Sequence, residues 1–87
     1  MTRRDILNQA GPALYGPAWK NDLARALGAY HPDGPREHID NRLLRRWAAG
    51  DRPIPDWILP ALLSMLESQH AANDVIRAAI RTNLEAI

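Results

Sequence analysis

Between Ile39 and Gly50 the chain reads Ile-Asp-Asn-Arg-Leu-Leu-Arg-Arg-Trp-Ala-Ala-Gly. Arg42, Arg45, Arg46 and Ala49 fall at i, i+3, i+4 and i+7 and so share one side of a helix, while Leu43, Leu44, Trp47 and Ala48 share the other. A guanidinium bonds the major-groove edge of guanine bidentately, and a carboxamide such as that of Asn41 does the same to adenine. Asn41, Arg42, Arg45 and Arg46 are therefore the candidate base-reading residues of a helix laid in a DNA major groove. Surface arginines are more often simply solvated, or paired with acids one turn away. From Asn41 to Arg52, however, there are four arginines and a single acid, Asp51. The same cationic face would also suit an acidic protein partner.

The helix carrying these residues has clear end signals. Asp40 is a good N-cap, because its short acceptor side chain satisfies free N–H groups, and Gly50 tolerates the left-handed residue that ends a helix. Upstream, Leu14-Tyr15-Gly16-Pro17 reads as a turn into a second helix, with Trp19, Leu23 and Leu27 on one stripe and Gly28 as its stop. Lys20, Asn21 and Arg25 remain on its outer surface. A first turn presenting Lys20 and Asn21 suits a phosphate, through free N–H groups and side chains together. With Arg52 these are the candidate phosphate-binding residues. At the start of the chain, Thr2 and Asp5 have capping-box spacing, which predicts a short helix from about Arg3 to Gln9, stopped by Gly11-Pro12, with Ile6 and Leu7 turned inward. Arg3 and Arg4 are read as exposed.

Leu23-Ala24-Arg25-Ala26-Leu27-Gly28, followed by an arginine-bearing helix ending Arg46-Trp47-Ala48-Ala49-Gly50, resembles the helix-turn-helix of phage and bacterial repressors of the lambda repressor and Cro type. Ala24 sits where that family keeps a small residue so that two helices cross closely. Gly28 sits where it turns the chain, and Leu44 and Trp47 match the apolar positions that hold its recognition helix to the core. Gly50-Asp51-Arg52-Pro53-Ile54-Pro55 is similar to its loop into the next helix. The resemblance covers roughly Trp19 to Leu66 and implies a cytoplasmic transcriptional regulator, a repressor, that binds a palindromic operator as a dimer. One feature departs from the family: its turn is only a few residues, whereas here Ala29 to Ile39 intervenes. Tyr30-His31-Pro32-Asp33-Gly34-Pro35 is loop chemistry. It forms either a passive bulge or a finger that reaches a groove wall through His31, Arg36 and His38.

Other chemistries find little support. His31 and His38 flank a proline-rich turn rather than sharing a helical face, and no cysteine occurs anywhere, so neither a metal site nor a disulfide is expected. Ser64 and Ser68 have no recognisable activating partner, and an enzyme is not expected. No cofactor or small-molecule ligand is implied. The formal net charge is only +1, so attraction to phosphate must be local: residues 36–52 carry five basic and three acidic residues, residues 53–87 two and four. No apolar run reaches the roughly 20 residues of a membrane span, and no membrane partner is expected.

With no Phe, few β-branched residues and no period-2 run, the chain should be all-α, a small helix-turn-helix bundle of about five helices. Asp56 would cap a strongly apolar helix bearing Trp57, Ile58, Ala61, Leu62, Met65 and Leu66, with Pro60 within its first turn or so. A second apolar face follows on Val75, Ile76, Ala79, Ile80, Leu84 and Ile87, either on a separate helix or on a continuation of the last. The organisation is read as a DNA-binding unit over 1–70 and a C-terminal helix over 71–87. Ile76, Ile80, Leu84 and Ile87 are expected to form a homodimer interface, or else to fold back on the core. A protein-interaction module, adaptor or antitoxin, with the arginine helix facing an acidic partner, is the rival reading.

Overall fold

A computed structural model describes residues 1–85. The protein is all-α; the described residues form four helices, α1 (Arg3–Tyr15), α2 (Trp19–Leu27), α3 (Asn41–Ala49) and α4 (Ile58–Glu85), and a 3-10 turn at Gly28–Tyr30. Helices α1, α2, α3 and the first half of α4 form a packed head. Leu7, Leu23, Leu27, Leu44, Ile58 and Leu62 are its most deeply buried large side chains, and α1 lies against each of the other three helices. Among the described residues no helix is long and apolar enough to cross a membrane.

Helix α1 starts as expected: the Thr2 hydroxyl accepts from Asp5 N–H, and the Asp5 carboxylate accepts in return from Thr2 N–H (3.0 Å). It does not stop at Gly11-Pro12. Proline removes one donor and leaves the Asn8 carbonyl without its usual partner, but the helix runs on to Tyr15 and ends at Gly16, whose φ of 79° favours glycine. Tertiary packing explains why the pair is tolerated. The Trp19 ring lies so close to Gly11 that a Cβ there would stand 2.2 Å from Trp19 Cε3. The glycine is the socket into which α2 docks, and that contact outweighs its poor helix propensity.

Gly28 also departs from expectation. It is not a left-handed stop; its backbone is right-handed (φ −54°) and the chain continues through the 3-10 turn. Its lack of a side chain serves a close approach, since a Cβ would lie 2.4 Å from the Arg36 carbonyl oxygen and 2.7 Å from His38 N. Arg36 N–H donates to the Gly28 carbonyl (2.8 Å) and Ile39 N–H to the Ala24 carbonyl (2.9 Å), so the long connection closes on itself beside the end of α2. These bonds also satisfy carbonyls that a helix end leaves free.

Asp56 does not cap α4, which begins two residues later; its carboxylate pairs with the Arg3 guanidinium at 2.7 Å. From Ile58 the helix runs unbroken for 28 residues, about 42 Å at 1.5 Å per residue. The two apolar stripes therefore lie on one helix. Residues 71–85 are all exposed and do not fold back on the core, which gives the molecule its extents of 54 × 27 × 21 Å.

Candidate nucleic-acid interface

The caps read from sequence set the bounds of α3. Asp40 accepts from Arg42 N–H at 2.9 Å, and Gly50 takes the left-handed conformation (φ 84°, ψ 10°). Leu44 is fully buried, and Trp47 and Ala48 are nearly so. That side fixes the helix to the head. Asn41, Arg42, Arg45 and Arg46 are exposed on the other. The ion pairs found among the described residues are Arg3–Asp56, Arg36–Asp33 and His70–Asp74, so none takes up the guanidinium of Arg42, Arg45 or Arg46.

The outer surface of α2 adjoins this face. Asn41 shares a cleft of about 560 Å3 with Asn21, Ala24, Arg25, Glu37 and His38. Arg45, one turn further along α3, shares a smaller hollow of about 210 Å3 with Pro17, Ala18, Trp19, Lys20 and Asn21. Lys20, Asn21, Arg25, Asn41 and Arg45 thus form one continuous surface, while Arg42 and Arg46 lie further round α3. No side chain caps the start of α2 at Ala18, so the N–H groups of its first turn stay available beside Lys20. The Lys20 ammonium sits 5.7 Å from the centroid of the Trp19 ring, which keeps it over that end of the helix. Arg52 stands apart, in a hollow at the far end of α3 shared with Thr2, Arg3, Arg4 and Trp47.

The loop over residues 29–39 is folded back rather than extended. The His31 ring packs on Trp57 (centroids 5.5 Å apart, 57° between planes), and His31 Nδ1 accepts from Asp33 N–H. Arg36 lies 4.0 Å from Asp33, an exposed pair of little energetic weight. His38 alone of the three finger candidates borders the cleft beside Asn41. The bulge reading describes His31 and Arg36; His38 belongs to the candidate surface.

Two residues that position α3, and a third that holds the loop after it, were not picked out from sequence for that role. Arg4 Nε and Asn8 Nδ2 both donate to the Ala48 carbonyl, each at 3.0 Å, and Arg3 donates to the Ile54 carbonyl at 2.8 Å. Arg4 thus brings a positive charge to the C-terminal end of α3, where the helix dipole favours it. No local pattern announces such bonds across forty or more residues.

In the distal part of α4, Ile76, Ile80 and Leu84 are 56%, 53% and 65% exposed. Ile87, the fourth residue expected at a dimer interface, lies outside the described residues. No family model matches the chain, and comparison with curated proteins and with solved structures finds no match either.

Proposed function

We propose that the protein is a sequence-specific DNA-binding transcriptional regulator that acts in the cytoplasm as a repressor by occupying its operator. The observation that carries this reading is the exposed side of α3, where Asn41, Arg42, Arg45 and Arg46 stand clear of internal carboxylates while Leu44 and Trp47 hold the opposite side in the core. In this reading those four residues read base edges. Lys20, Asn21 and the uncapped start of α2 take a phosphate, Arg25 takes the next, and Arg52 reaches the backbone from the other end of α3. Two copies, joined through α4, would read a palindrome with half-sites about 34 Å apart or a multiple of it.

Selection of bound duplexes from a random library, followed by titration of the selected and a scrambled duplex, tests the reading. Arg45→Ala should cost about 1–3 kcal/mol on the selected duplex and relax preference at one position, whereas Lys20→Ala should weaken both duplexes alike. Each phosphate contact should add about 0.9 to the log–log salt slope. Failure to select any duplex, with retention on an acidic protein surface instead, would move the assignment to the adaptor or antitoxin class.

A further inference from the structure

The core-facing stripe of α4 continues past the end of the core. Ile58 and Ile76, Leu62 and Ile80, and Leu66 and Leu84 are each eighteen residues apart, five full turns, so both members of each pair stand on the same side of the helix. The first members pack in the head; the second are more than half exposed. At alternating steps of three and four the stripe runs through Leu66, Gln69, Asn73, Ile76, Ile80 and Asn83. This is a heptad register with Leu66, Asn73 and Ile80 at a and Gln69, Ile76 and Asn83 at d.

The two asparagines select the occupant. Asn83 already donates to the Ala79 carbonyl of its own helix at 2.8 Å, but an apolar groove on an unrelated protein would bury the Asn73 amide and the Asn83 side-chain carbonyl with nothing to bond. A second copy in register supplies the partner by symmetry: Asn73 meets Asn73, each amide donating to the other's carbonyl, and Asn83 meets Asn83 through the amide hydrogen not directed at Ala79, while Ile76 and Ile80 form the apolar layers between. Antiparallel pairing also matches asparagine with asparagine, but it brings the two Arg77 side chains together on one flank, a like-charge contact. Parallel pairing sets Arg77 against the small Ala72 of the other copy.

Resting on the reading of the protein as a two-fold DNA-binding regulator, we infer that α4 beyond Ser68 pairs with the same segment of a second copy as a parallel, in-register two-stranded coiled coil with asparagine layers at 73 and 83. The strip is short, about two heptads of one helix, and so sits at the small end of specific interfaces. A duplex with two half-sites would draw the two copies together by mass action.

The chain has no cysteine, so substitution reports the pairing directly in the full-length protein. Facing a or d positions lie within disulfide reach, about 4.4–6.8 Å between Cα atoms. Oxidation of Ile80→Cys or Asn73→Cys should give covalent dimer at least about tenfold faster than Ala78→Cys, which lies on the opposite side of α4. Equal rates would overturn the pairing. A mixture of size-tagged Ile76→Cys and Ile80→Cys chains should give like-with-like dimers; preferential mixed dimers mean antiparallel pairing and overturn the orientation. Asn73→Leu should lower the dissociation constant by roughly tenfold in sedimentation experiments, and an unchanged constant would overturn the asparagine layer. All these sites are exposed, so the head stays folded in each variant. None of the readouts needs DNA: a coil-forming protein that selects no duplex sinks the regulator reading alone, and a DNA-binding chain without cross-links sinks the coil alone.

Discussion

Helix α3 has nine residues and the exposed run of α4 has fifteen, yet it is the shorter helix that the fold fastens at both ends. Asp40 caps one terminus of α3, Gly50 closes the other, Leu44 and Trp47 fill the core beneath it, and Arg4 and Asn8 hold the carbonyl of Ala48 from across the chain. In residues 71–85 the side-chain bonds lie within the helix itself: Thr82 and Asn83 donate one turn back to the carbonyls of Ala78 and Ala79, and Asp74 pairs with His70. Both stretches have an apolar stripe and a polar side. An isolated helix shorter than about 12–15 residues is marginal in water, so α3 exists because its stripe is covered, and the tail acquires comparable support only when its own stripe is. Amphipathicity alone does not distinguish a finished helix from one awaiting a partner.

The largest test of that contrast removes the cover from α3. Trp47→Ala should cost the head about 3–5 kcal/mol in urea denaturation; a loss below about 1 kcal/mol would mean that the caps and not the stripe hold the helix. Gly28→Ala is next, and its sign is the informative part. The right-handed backbone of Gly28 would by helix propensity favour alanine, whereas a Cβ there runs into the backbone of Arg36 and His38. Destabilisation of about 1–3 kcal/mol is expected, and any gain in melting temperature would remove the close approach from the account.

Thr2→Ala should cost about 1 kcal/mol through the lost cap of α1. The same cap has a pH signature. The Thr2 backbone N–H, and then the Thr2 hydroxyl, hold the Asp5 carboxyl below its ordinary 3.8. A depressed carboxylate contributes stability in full above its unfolded-state value and loses it as pH falls through the folded-state value. Asp5→Asn should therefore flatten the acid limb of the stability profile, and an unaltered limb in the variant would deny the effect. The smallest expected effect is Ile80→Asp on the head: within about 0.5 kcal/mol by tryptophan fluorescence, although the same change should abolish the proposed pairing through α4. A larger loss would mean that head and tail unfold together.

The parts of this fold that could be read ahead are those whose causes are local. Asp40 and Gly50 bound α3 as their side chains require, and Trp19, Leu23 and Leu27 form the buried stripe their spacing predicts. The outward display of Asn41, Arg42, Arg45 and Arg46 follows from the same period. Gly11, Gly28 and Asp56 depart from their local signals because each answers to a residue outside its own element: Trp19 in the socket of α1, the returning backbone at Arg36 and His38, and the guanidinium of Arg3. Local propensity treats glycine and proline as punctuation, and these contacts make them joints instead. The grouping of Lys20 and Asn21 with Arg45 was likewise invisible from spacing, since it depends on how α2 and α3 cross.

The neck closed by the Gly28 and Ala24 carbonyls separates the α2–α3 crossing from the loop chain beyond it. Residues 31–35 form a cul-de-sac whose length need not be transmitted to the helices, so exchanging Pro32-Asp33-Gly34 for a different tripeptide, or for a spliced-in epitope, should leave the cationic surface where it is. Natural variation and engineering alike would find room there, provided that glycine is kept at 28 and the amides of Arg36 and Ile39 can still return to α2.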